Sequence, residues 1–172
     1  MSIAIQEPIA VANFIIEIAN ENKKSITNLK LQKIMFFLQG YCLARYGEPI
    51  INGNFSKWKY GPVQVSVYDE FKIYASGPIA HLSSKIVKKD NKFEFVCEKL
   101  NLADKSIESE LTAVVKKIMK KKPWELVDIT HNHSSWKNFR TDIMNRRADD
   151  YTDDEIRSCY EENIDSLGVY NE

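Results

Sequence analysis

Met35-Phe36-Phe37-Leu38 lies inside a stretch that reads as one long helix, and it leaves that helix almost no polar circumference. Thr27 offers an N-cap and Gly47 a stop, while Leu31, Ile34, Met35, Leu38, Tyr41 and Cys42 recur between them at helical spacing. A helix that is apolar on several sides must be covered on several sides, so the rest of the chain has to wrap it. Gly40, half-way along, suits a close crossing with one of the covering helices.

The covering elements are legible in turn. Pro8 can open a first helix with Val11, Phe14, Ile15 and Ile18 on one face. Ile107, Leu111, Val114, Val115 and Ile118 mark another, and Pro123 restarts the chain after it. Thr152 with Glu155 forms a capping box before Ile156, Tyr160, Ile164 and Leu167, read as one last helix ending near Gly168. Asn52-Gly53 suggests a short hairpin turn between Ile50-Ile51 and Phe55. Further on, Lys85 to Val96 reads as two strands about Asp90-Asn91, residues that tolerate the positive φ of a tight turn. The expected fold is mainly α: a single-domain bundle of about six or seven helices over residues 1–172, with a small antiparallel β-hairpin in the middle.

Composition supports a packed protein. Of 172 residues, 44% are hydrophobic, enough to bury one core. No run approaches the length of a membrane span, and Met1 to Glu7 lacks the basic start of a secretory signal, so a soluble, cytoplasmic protein is expected. Cys42, Cys97 and Cys159 are odd in number and far apart, which favours reduced filler over zinc or redox work. Net charge is zero but unevenly spread: residues 123–172 carry five basic against twelve acidic side chains, leaving +7 on residues 1–122. The lysines from Lys116 to Lys122 and the acids from Asp149 to Glu155 suit a helix end and a helix start respectively.

Trp58-Lys59-Tyr60-Gly61-Pro62-Val63 is the stretch where function is sought first. Gly61 can take a turn conformation closed to other residues, and Pro62 presets φ for a helix through Val67, Phe71 and Tyr74 that Gly77 ends. Trp58 and Tyr60 then stand at the mouth of that helix, in a buried corner by preference and on a recognition surface otherwise. The second such stretch is Thr130-His131-Asn132-His133-Ser134-Ser135-Trp136. His131 and His133 lack a third ligand for a metal, and no nucleophile elbow frames either histidine with Ser134 or Ser135. A histidine satisfied by backbone, with Ser134 or Ser135 capping the helix of Trp136 and Phe139, is the simpler reading. No glycine-rich phosphate loop is present, and no cofactor is expected.

Four segments, taken together, resemble the Panacea domain, the SocA-like antitoxin family often encoded on phages and mobile elements. They are Leu29 to Tyr41 with its leucine, glutamine and lysine core; Tyr46 to Ile50 leading to Trp58 to Val63 and on to Lys72; Trp124-Glu125-Leu126 with Thr130-His131 and Trp136-Lys137; and Thr152 to Tyr160. The resemblance spans nearly the whole chain, the exception being Ile79 to Lys105, where no pattern is matched. It implies a small helical, non-enzymatic protein that neutralises a cognate protein toxin by binding it, in some members by delivery to a cytoplasmic protease. Motif residues shared whatever the partner, such as Leu31, Gly61 and Pro62, are expected to build the fold. Trp58, Tyr60, His131 and Trp136 stand with them as candidate protein-binding or motif residues, and Arg146 and Arg147 as further patch candidates. Partner choice is expected in the unmatched middle.

Two other readings remain open. Lys57-Trp58-Lys59-Tyr60 and the lysine run could meet phosphates and stack on bases, making a nucleic-acid-binding phage accessory protein, although zero net charge opposes this. A hydrolase using His131 is the third.

Overall fold

A computed structural model describes residues 2–170. The buried helix stands at the centre, as its composition requires. Here it is α2, Asn28–Tyr46, following α1, Pro8–Glu21. Thr27 Oγ1 accepts from Lys30 N–H to cap α2, and the helix closes at Gly47. Met35, Phe36, Phe37 and Leu38 are all completely buried. Each apolar side chain so placed contributes about 1.5–3 kcal/mol.

Around α2 lie α3, Val65–Phe71; α4, Lys105–Met119; α5, Pro123–Asn132; α6, Ser134–Lys137; α7, Arg140–Met144; α8, Asp153–Glu161; and α9, Ile164–Leu167. The most extensive packing is between α2 and α8. It depends on Gly40, where an added methyl group would lie 2.5 Å from Tyr160 Cβ and 3.0 Å from the Ile156 carbonyl oxygen. Among the described residues no helix is long and apolar enough to cross a membrane. Cys42 and Cys159 are buried and free, and burial pushes both thiols well above their ordinary range, which keeps them unreactive.

Nine α-helices among the described residues replace the six or seven expected. The surplus comes from breaks. The expected helix of Trp136 and Phe139 stops at Lys137 and resumes at Arg140, and the expected last helix stops at Glu161 and resumes at Ile164.

Two hairpins form, the first of them about a different turn from the one expected. Strands β1, Ser56–Trp58, and β2, Gly61–Val63, pair antiparallel about Lys59-Tyr60, so Asn52-Gly53 is not the hairpin turn. It follows Ile51, which makes a parallel bridge to Gln6 instead. Pro62 therefore sits in a strand, not at a helix start. Helix α3 begins three residues later, where the Gln64 side chain accepts from Val67 N–H. It ends at Phe71 in a 3-10 turn, Lys72–Tyr74, short of Gly77.

The second hairpin is the expected one: β3, Ser84–Lys89, and β4, Lys92–Cys97. Asp90 and Asn91 have φ of 50° and 61°, the paired positive values that a two-residue turn of matching twist requires. This ribbon is anchored by Asn13, buried in α1. Its side-chain amide donates to the Ser83 carbonyl at 3.0 Å and the Glu98 carbonyl at 3.1 Å, and its oxygen accepts from Ser83 N–H at 2.9 Å.

Candidate protein-binding site

Gly61 explains the first hairpin. Its φ is +96°, closed to residues with a side chain, and an added methyl group would lie 2.7 Å from Thr130 Oγ1 and 2.8 Å from Lys33 Cε. Strand β2 is thereby laid flat against α2 and α5. Lys33, on α2, is fully buried beneath it. Its ammonium donates to the Pro62 carbonyl at 3.0 Å, and burial pulls its pKa down to about 7.

The His131 segment closes on the same hairpin. Trp136 is 5% exposed, and its indole N–H donates to the Trp58 carbonyl at 2.9 Å. The His131 ring stacks on Trp136 with centroids 3.8 Å apart. His131 Nε2 is buried without a hydrogen-bond partner, and desolvation lowers its pKa, opposed by the backbone of Lys59. Thus Trp58, Tyr60, Gly61, Pro62, His131 and Trp136 converge on one place although 66 residues of chain, 64–129, lie between the two segments.

What converges is a brace with an exposed rim. Gly61, Pro62 and Trp136 are its buried part. Trp58 and Tyr60 are 38% and 47% exposed, so they do not fill a buried corner. Trp58 packs edge-on against Tyr68, and Tyr60 edge-on against Trp124, itself exposed. Their neighbour Lys57 runs the other way. It is buried, with its ammonium 2.8 Å from Glu155 Oε2 and 3.6 Å from the centroid of the Phe139 ring. Of the two interleaved lysines that could have met a phosphate, Lys57 is thus spent inside the protein, while Lys59 stays exposed with its ammonium 5.2 Å from the centroid of the Tyr60 ring.

His133 has a local task. Its Nδ1 accepts from Ser135 N–H at 3.2 Å and lies 2.6 Å from Ser135 Oγ, so the proton belongs on Nε2, which donates to Ser158 Oγ at 3.2 Å. The cap of α6 is therefore His133 itself, not Ser134 or Ser135. Glu162 Oε2, 3.3 Å from Nε2, completes a serine, histidine and carboxylate series, but Ser135 is buried and the backbone N–H already occupies the nitrogen a nucleophile would need. Among the described residues no three His, Cys, Asp or Glu side chains gather as a metal site would require. Arg146 and Arg147 are exposed just beyond α7 and lie outside the brace.

Sequence reasoning did not reach Asn13, whose signal is a lone amide inside an apolar helix, or the burial of Lys33 within its motif. Trp124 as Tyr60's partner was equally out of view, because only the fold brings α5 beside β2.

The family model described as Antitoxin SocA-like, Panacea domain, matches residues 31–137, more than half of the chain. The chain belongs to this family. The match takes in α2 from Leu31 onward, both hairpins and the whole brace, and leaves Thr152 to Tyr160 outside it. Antitoxin SocA of Caulobacter vibrioides (strain NA1000 / CB15N) is 41% identical over 81 residues, which are 47% of this chain and 42% of that protein. The chain thus matches less than half the length of this curated relative. No solved structure matches. Panacea membership points to a toxin–antitoxin role, and the brace is the part of the fold that its matched segments assemble.

Proposed function

We propose that this protein is a cytoplasmic antitoxin that neutralises a cognate protein toxin by binding it directly, with handover of the bound toxin to a protease as one route of neutralisation. The observation that carries this reading is the family match over residues 31–137. The relative named Antitoxin SocA supports it. Physically, the brace gives a rigid platform, and rigid aromatics at its rim are the residue types that dominate protein interfaces. Gly61, Pro62, His131 and Trp136 hold that platform together, while toxin contacts fall on surfaces around it. The nucleic-acid reading loses ground because Lys57 is sequestered by Glu155 and Phe139.

The test is co-expression. The product of the gene adjoining this one is expected to arrest growth alone, to be harmless with this protein, and to co-purify with it. A neighbouring product that is harmless by itself, or toxic regardless of this protein, would refute the pairing.

A further inference from the structure

The β3–β4 ribbon stands on the body with one face bare. Because Ile86 pairs with Phe95 and Lys88 with Phe93, these four side chains share a face. Ile86 is 62%, Phe93 74% and Phe95 78% exposed. At roughly 150–250 Å² per aromatic side chain, they leave on the order of 400 Å² of apolar surface in water. That falls in the range of about 300–600 Å² that marks the largest, often functional, patch of a monomer. Unlike Trp58 and Tyr60, these rings have no aromatic partner among the described residues.

A bare face on a loose ribbon would be an ordinary liability, but this ribbon is held. Asn13 bonds the last carbonyl before β3 and the first after β4, and Lys85 pairs with Glu98 at 2.8 Å across the stem. Its outer backbone edges receive no backbone hydrogen bond from the body among the described residues. Ordering is therefore settled before any partner arrives, which lowers the entropic cost of binding.

Charge selects the occupant. Lys88, Lys89 and Lys92 crowd the tip and form no ion pair among the described residues, against Asp90 and Glu94. Two copies meeting tip to tip through this face would bring like net charges together, and a nucleic acid would gain little from Ile86 and would find only one net positive charge at the tip, with Asp90 and Glu94 opposing its phosphates. We infer that the Ile86, Phe93 and Phe95 face is the toxin-docking surface and that it takes an apolar patch rimmed by Asp and Glu on the toxin. This rests on the antitoxin reading above and names the part of the molecule that chooses the partner.

The experiment uses the full chain and the toxic product of the adjoining gene. A Phe93→Ser/Phe95→Ser variant is expected to keep its circular dichroism and melting temperature, to bind the toxin at least tenfold more weakly, and to lose protection in co-expression. Lys88→Glu/Lys92→Glu is expected to slow association and flatten its salt dependence. A double serine variant that binds and protects like the wild type overturns the docking surface while leaving the antitoxin reading intact; a wild type that fails to protect overturns both. A concentration-dependent dimer, or binding of a fluorescent oligothymidine, that disappears in the serine variant without change in toxin binding overturns it in favour of those occupants.

Discussion

The ammonium of Lys33 and the carbonyl of Pro62, 29 residues apart, meet at 3.0 Å with no solvent access to the lysine. This one bond ties the central helix to the first hairpin, and it makes the joint sensitive to protons. The lysine's pKa is about 7 in the fold against an ordinary 10.5. Between those values the unfolded chain holds the proton and the folded chain does not, so stability rises with pH, by up to the order of 1 kcal/mol per pH unit. Below about pH 7 the full penalty applies. In Lys33→Met this dependence is absent, so denaturation at about pH 6 and about pH 9.5 should show the wild type gaining on the variant as pH rises. A constant difference would contradict the buried charge.

Gly40 should reverse the usual rule for glycine in helices. At an exposed helical position Gly→Ala stabilises by about 0.5–1 kcal/mol. Here the added methyl group meets Tyr160 Cβ and the Ile156 carbonyl, so Gly40→Ala should cost about 1–3 kcal/mol through displacement of α8 from α2. Urea midpoints decide it, and a more stable variant would show that the crossing has room.

Trp136 and Trp124 should behave as opposites. Trp136→Phe strands the Trp58 carbonyl and is expected to lower stability by about 1–3 kcal/mol. Trp124→Ala removes an exposed edge-on contact with Tyr60 and should cost no more than about 1 kcal/mol. Equal losses in equilibrium unfolding would mean that rim and brace are not distinct.

Lys57 and Glu155 should be strongly coupled and resist salt. The lysine is buried against Phe139, so screening by ions reaches the pair poorly. A double-mutant cycle with Lys57→Met and Glu155→Gln is expected to give a coupling of about 1–3 kcal/mol that survives about 0.5 M salt. Coupling that collapses on adding salt would place the pair at the surface.

The elements that rest on local rules were legible in the sequence. Thr27 caps α2, the Thr152 and Glu155 box opens α8, and Asp90-Asn91 turns the ribbon, each through contacts with near neighbours in the chain. Where distant packing decides, local rules leave alternatives open. Pro62 is compatible with a helix start or a strand, and Lys33 and Thr130 beneath Gly61 select the strand. The motif residues were found, but not their division into brace and rim, since nothing near Trp58 in sequence says that Tyr68 packs against one side of it while Trp136 holds its carbonyl.

Asn13 pins the ribbon at its root, with both strand ends fastened to one amide on α1. Everything beyond the pin can change without asking the core to repack. Doubling the length of such a closed segment costs only about 0.6 kcal/mol in chain entropy. Strands of other lengths and compositions could be spliced between Ser83 and Glu98 while the scaffold stays as it is, so new partner preferences are reachable by exchanging a cassette of some 14 residues rather than by redesigning a protein.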